Sequence, residues 1–205
     1  DIARNTGKSF DEAAGAAEEL ARQGLKVEEV QNRVNAALIL SRQSGLGTAE
    51  AVKALTAATN SFNKSALDQI GIVNKLANVD ANFAVSSKDL VESLSRAGAT
   101  AQDAGISFEK LLSLTASLQQ TTARGGAVIG NALRSIFTRI ERGSTLDALQ
   151  QFGVATRDLQ GNVLAVDQVL KNLANTYKTL SQAEQAALSE KVAGIQQINQ
   201  LKALL

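Results

Sequence analysis

Apolar and polar residues alternate at helical spacing along most of this chain. The most regular stretch runs from Asn82 to Gly143. Within it Leu90, Val91, Leu94 and Ala97 recur on one helix face. Ser86, three residues before Asp89, makes a capping-box-like start. Gly105 closes that unit, and Ser107 caps a second helix whose face is Leu111, Leu114, Thr115 and Leu118. The Gly125–Gly126 pair breaks the chain again. A third helix carries Ile129, Leu133, Ile136, Phe137 and Ile140, which fall within an arc of about 100° and define a core face.

The flanking regions follow the same rules. After a polar lead, Asp1 to Lys8, Ser9 and Glu12 form a capping box. Ala13, Ala16, Ala17 and Leu20 then give a small-residue face that Gly24 ends. A second helix, from about Val27 to Ser44, turns Val27, Val30, Val34, Ala37 and Leu38 to one side. The loop Gly45–Leu46–Gly47 folds the chain back into a helical hairpin. Thr48 caps the next helix, with Val52, Leu55, Thr59 and Phe62 inward. Ser65 and Asp68 start a fourth, with Leu67, Ile70, Asn74 and Ala77 on its face. Gly71 weakens that helix by about 1 kcal/mol relative to Ala.

Beyond Gly143 a short helix spans about Thr145 to Phe152, stopped by Gly153. Val154 to Leu164 is the one break in the helical pattern. Gln160–Gly161–Asn162 there predicts a tight turn, in a small β-hairpin or an extended loop. Helix resumes near Val166 with Val169, Leu170, Leu173 and Tyr177. A Ser181–Glu184 capping box opens a helix through Leu188 and Val192, and Gly194 interrupts it before Ile195, Ile198, Leu201 and Leu205. The fold class is all-α: stacked amphipathic helical hairpins with one short irregular or β-hairpin segment near 154–164. No sustained heptad series and no fixed repeat period supports a coiled coil or a solenoid. The organisation divides into an N-terminal hairpin region (1–64), a central helical core (65–143) and a C-terminal region (144–205).

Composition narrows the chemistry. Aromatic residues make up only 3% of the chain, so Ala, Leu, Val and Ile must build the core. Proline is absent, where about ten would be usual at this length, which suits a chain given over to helices. The formal net charge of +1 supplies no bulk field toward nucleic acid or membrane. Without Cys or His the chain lacks thiol chemistry, disulfides, most zinc ligands and the commonest general base. No apolar run reaches the ~20 residues of a membrane span. A first residue of Asp1, with no Met anywhere, points to a segment of a longer polypeptide.

No constellation reads as an active site, and no cofactor signature is present. Glu18–Glu19 and Glu28–Glu29 are adjacent pairs that diverge on a helix, so they read as solvated surface. Gly125, Gly126 and Gly130 resemble a phosphate cradle but match neither GxGxxG nor a P-loop, and a flexible turn is the better reading. Ser107 and Lys110 have the spacing of a Ser–Lys pair, yet fit a helix start. The least ordinary feature is basic. Arg124, Arg134, Arg139 and Arg142 lie in or beside the third central helix, with Glu141 the only acid from Arg124 to Gly143. Arg134, Arg139 and Arg142 fall opposite its apolar arc. They form a candidate face for an acidic protein surface, lipid headgroups or DNA, with an ordinary solvated face as the bland alternative. No aromatics interleave to stack bases, which counts against nucleic acid.

The order FAVSSKDLVESLSRAGATAQDAGISFEKLLSL followed by GNALRSIFTRI resembles the core region of tail tape-measure proteins of long-tailed bacteriophages and prophages. FGVATRDLQGNV, LSQAEQAALSEKVAGIQQINQLKALL and the upstream ARQGLKVEEVQNRVNAALILSRQSGL continue the likeness over most of the chain. It is a pattern of helices, turns and small residues, with no catalytic signature. The resemblance implies a structural, non-enzymatic protein of the virion tail lumen, present in the host cytoplasm during assembly. It would scaffold the tail tube and set its length. Its implied partners are the tail tube protein, tail assembly chaperones and other tape-measure copies in a homo-oligomer, with no small-molecule substrate. Membrane contact would belong to the full-length protein alone. The alternative is a membrane-active helical protein, a toxin or pore former that exposes apolar helix faces.

Overall fold

Capping chemistry sets where the helices start. A computed structural model describes residues 7–62 and 69–205 and shows eleven α-helices among them. They are α1 (Phe10–Ala21), α2 (Val27–Ser44), α3 (Thr48–Ser61), α4 (Gln69–Asn82), α5 (Ser87–Asp103) and α6 (Phe108–Thr122). They continue as α7 (Gly126–Ile140), α8 (Gly143–Gln151), α9 (Val166–Tyr177), α10 (Gln182–Ala193) and α11 (Ile198–Leu204), with a 3-10 turn, Ile195–Gln197, before the last. Ser9 and Ser181 head full capping boxes with Glu12 and Glu184. Ser86 and Ser107 accept from the Asp89 and Lys110 amides. Gly105 ends α5 at φ +73°, with Ile106 N–H reaching back to the Ala101 carbonyl at 2.8 Å.

The centre of the fold is the pair α5 and α7. Leu90, Val91, Leu94 and Ala97 of α5 are buried, as are all five apolar-arc residues of α7. The two backbones touch. A Cβ on Gly126 would lie 2.0 Å from the Asp89 carbonyl oxygen, and one on Gly130 would lie 2.8 Å from Ser93 Cα. The contact is polar at its end: Gly126 N–H donates to Asp89 Oδ1 at 2.7 Å. Asp89 thus places a carboxylate at the N-terminus of α7, where the helix dipole favours it. Nearby, the Ser93 and Thr115 hydroxyls meet at 2.8 Å in the core between α5 and α6. Thr115 donates to the Leu111 carbonyl, so Ser93 supplies the proton between the two hydroxyls.

The other helices pack around this pair. α1, α2 and α3 pack on one another, and α3 also lies on α5. Phe62 meets Phe108 edge-on at 5.6 Å, joining the end of α3 to the start of α6. On the far side α10 covers α7, and α11 covers α6. The buried apolar residues form one cluster from Ala16 to Leu201, built mainly from Leu, Ala, Ile and Val. Between α8 and α9 the chain makes a hairpin-like turn with a single bridge, Arg157 to Val163, and no strand among the described residues. Asp158 Oδ1 accepts the Gln160 and Asn162 amides across it. Leu159 stands fully exposed at its tip.

Several local expectations change. The N-cap of α3 is Gly47, not Thr48, and Glu50 accepts the Gly47 N–H at 3.1 Å. Thr48 instead donates to Glu12 Oε1 at 3.2 Å, tying α3 to α1. Val27 is exposed, because it opens α2 two turns before the first fully buried residue, Val34. α4 buries Ile72, Val73 and Leu76 and leaves Asn74 exposed. The large aliphatic residues, not the polar-interrupted series Ile70, Asn74, Ala77, decide which way it faces. Ser65, Leu67 and Asp68 lie outside the described residues. Leu114 is half-buried, and α8 starts at Gly143. The Gly125–Gly126 break is no loose turn, since Gly126 is the first residue of α7 and is held against Asp89.

The close crossing is testable by glycine replacement. Gly130→Leu is expected to cost about 3 kcal/mol through overpacking. Gly15→Ala, in an open and exposed position of α1, should instead gain up to about 1 kcal/mol. Equal melting temperatures for the two variants would refute the contact. Ile136→Asp buries an unpaired carboxylate and should lower stability by about 4 kcal/mol or more. Arg134→Ala, on the exposed face, should leave urea midpoints within error.

The caps also predict an acid limb. Hydrogen bonds from the Ser9 backbone, then from Lys8, lower the Glu12 pKa from 4.5 to about 2. The Ser181 hydroxyl and amide lower that of Glu184 in the same way. A folded pKa below the unfolded one means full stabilisation above about 4.5, lost as pH falls toward 2. Carbon-detected NMR titration should place the Glu12 carboxyl midpoint near 2, and Glu12→Gln should flatten the fall of melting temperature over that window. A midpoint at the ordinary glutamate value would contradict the capping geometry.

Candidate interaction surface

The helical wheel of α7 separates its buried arc from its basic residues, and the fold keeps most of that separation. Arg134 is exposed on α7, Arg124 is exposed just before it, and Arg142 is exposed at its far end. None of the three lies within ion-pair distance of a carboxylate among the described residues. Arg134 lies within α7, whereas Arg124 precedes its N-cap Gly125 and Arg142 follows its C-cap Glu141. They form a basic row along α7 and its two flanks.

Arg139 departs from the row. It is half-buried, and its guanidinium lies flat against Gly194, where a Cβ would fall 2.7 Å from Nη2. Gly194 adopts φ +68° and ends α10, a backbone conformation that favours glycine, and a Cβ there would displace the guanidinium. Arg139 therefore lies in the contact between α7 and the end of α10 and is the least available of the four for a partner. Nothing local in the sequence announces this, since the two residues meet only through the packing of α10 on α7.

The other candidate constellations resolve into structure. The Gly126 amide that could have met a phosphate is already donated to Asp89. Ser107 Oγ accepts the Lys110 N–H at 3.2 Å and is a cap. Glu18 pairs with Arg22 one turn on. Among the described residues no group of three or more His, Cys, Asp or Glu is placed to hold a metal ion. No described helix is long and apolar enough to cross a membrane. Several large apolar side chains do face solvent: Phe10, Val27, Leu159 and Ile195. They are scattered over α1, α2, the 157–163 turn and the 3-10 turn.

Comparison with known proteins agrees with the resemblance carried by the central stretch. The probable tape measure protein of Escherichia phage P2 is 25% identical over 195 residues, covering 93% of this chain and 24% of that protein. The tape measure protein of Pneumococcus phage Dp-1 is 24% identical over 186 residues, covering 90% of this chain and 16% of its own length. The chain thus spans a quarter or less of the curated relatives it matches. No solved structure matches it. Residues 1–194 match the model of the family described as "Phage-related minor tail protein". With a match of that extent, the chain belongs to the phage-related minor tail protein family.

Proposed function

We propose that this chain is a folded assembly domain of a phage tail tape-measure protein, with a structural and non-catalytic role. The observation that carries the reading is a contrast of extents. The likeness to tape measure proteins covers nearly all of this chain but only a small share of the relatives. Over that share the helices fold back on one another around a single buried cluster instead of running on as a rod. A ruler works by length, and a folded-back unit contributes little of it. The domain would act at one end of the tape, in the tail lumen, after assembly in the host cytoplasm.

Its partners would be the tail tube protein, the tail assembly chaperones and other copies of the tape in a homo-oligomer. Arg124, Arg134 and Arg142 are the face we assign to an acidic tail component, with Arg139 confined to packing. The stretches 1–64, 65–143 and 144–205 would be successive additions to one core. Buried residues of all three belong to the same cluster, which supports that arrangement.

An in-frame deletion of residues 26–44 in the parent phage separates a ruler from a domain. A ruler segment would give tails shorter by about 30 Å, from the helical rise per residue. The domain reading expects no tails, or tails of normal length that do not infect, because α2 carries part of the shared core. Negative-stain micrographs and plaque counts read both. Infectious tails of normal length would sink the proposal.

A further inference from the structure

A cavity of about 380 Å³ opens where the ends of α5 and α7 meet the segment leading into α9. Its size sits at the small end of ligand sites, which run roughly 300–1,000 Å³. The floor is apolar: Ile140, Leu146 and Val166 are buried, and Leu164 is half-buried. The walls are firmly built. Val166 N–H donates to the Ala104 carbonyl at 3.0 Å, and Gly105 brings the α5 end against Ala165. Two carboxylates, Asp103 and Glu141, complete the lining.

Both residues are exposed and stand at the open side of the groove. Neither lies within ion-pair distance of Lys or Arg among the described residues. Burial, and then the charge of Asp103, raise the Glu141 pKa. Two like charges beside an apolar floor repel each other, and a cation placed between them would relieve that repulsion. A divalent metal wants six or more oxygen ligands and gains nothing from the aliphatic floor. A purely apolar ligand would leave both charges uncompensated. A long basic side chain satisfies both halves, laying its methylene stem on the floor and its charged head at the carboxylates.

We propose that this groove is a docking site for a Lys or Arg side chain presented by a partner protein. The charge complementarity is local to Asp103 and Glu141 and does not depend on the role of the arginine row. The groove selects the partner by one amphipathic cation, in the manner of a knob entering a pocket.

Titration of the whole isotope-labelled chain with n-butylguanidinium tests this by NMR. The expected result is saturable movement of the Gly105, Val163 and Val166 amides. The double variant D103N/E141Q should keep its helical circular dichroism and bind about fivefold more weakly, the loss set by exposed charge pairs. Val163→Lys, which places the chain's own ammonium at the mouth, should block the probe. Three results would overturn the proposal: no saturable shift, equal binding by D103N/E141Q, or tighter binding of n-butanol or Mg²⁺ than of the guanidinium.

Discussion

The rest of this structure depends on one close approach between two helices. Gly126 and Gly130 let α7 lie directly on the backbone of α5 at Asp89 and Ser93. Any side chain larger than a hydrogen would lift the helices apart. Lifting them would draw Ile129, Leu133 and Ile136 away from Leu90 and Leu94, since all of these are buried in the same cluster. Asp89 adds direction to the contact. Its carboxylate accepts from Ser86 Oγ at the start of its own helix and from Gly126 N–H at the start of α7. Two helix N-termini are therefore anchored on one residue, which fixes their relative register.

A core with so few aromatics has to be assembled from small and aliphatic side chains, and the helix crossings reflect that. Only Phe62, Phe108 and Phe137 among the rings are buried. Gly98 admits Phe62 and Ser61 against α5, where a Cβ would come within 3.0 Å of Ser61 Oγ. Alanine at 36, 37, 51, 54, 58, 97 and 101 is buried in the same way. Small residues bury little area each, so the fold gains by bringing backbones near and by pairing its buried hydroxyls. Ser93 with Thr115, and Ser41 with the Leu46 carbonyl, meet that requirement.

What the sequence made legible was what local chemistry decides. The Ser9–Glu12 and Ser181–Glu184 boxes, the limits of α2 and the apolar arc of α7 all depend on residues within a few positions of one another. α4 misled because its sequence offers two faces, and only its neighbours choose between them. The meaning of Gly126 could not be read locally, because its partner Asp89 is 37 residues away. The same holds for Arg139, whose neighbour Gly194 arrives only when α10 packs on α7. The wheel set Arg134, Arg139 and Arg142 opposite the apolar arc; Arg134 and Arg142 are exposed, and Arg139 is half-buried. The pairing of Asp103 with Glu141 had no sequence signal, since it joins the ends of two helices that the fold brings together.

The same contacts bear on how a chain of this family could change between folded-back and extended forms. Gly45 to Gly47 joins α2 and α3 around the buried Leu46, and swinging it open would draw α1 and α2 off α3 and α4 while leaving the α5–α7 contact in place. The break at Gly125–Gly126 is different. Opening it removes the Gly126–Asp89 hydrogen bond and the backbone contact, and exposes the apolar arc of α7 and the facing residues of α5 together. Those losses fall on one group of residues, so they come at once. A glycine pair that reads as a flexible turn in the sequence therefore holds the central contact, and extension through it has to be cooperative with loss of the central core.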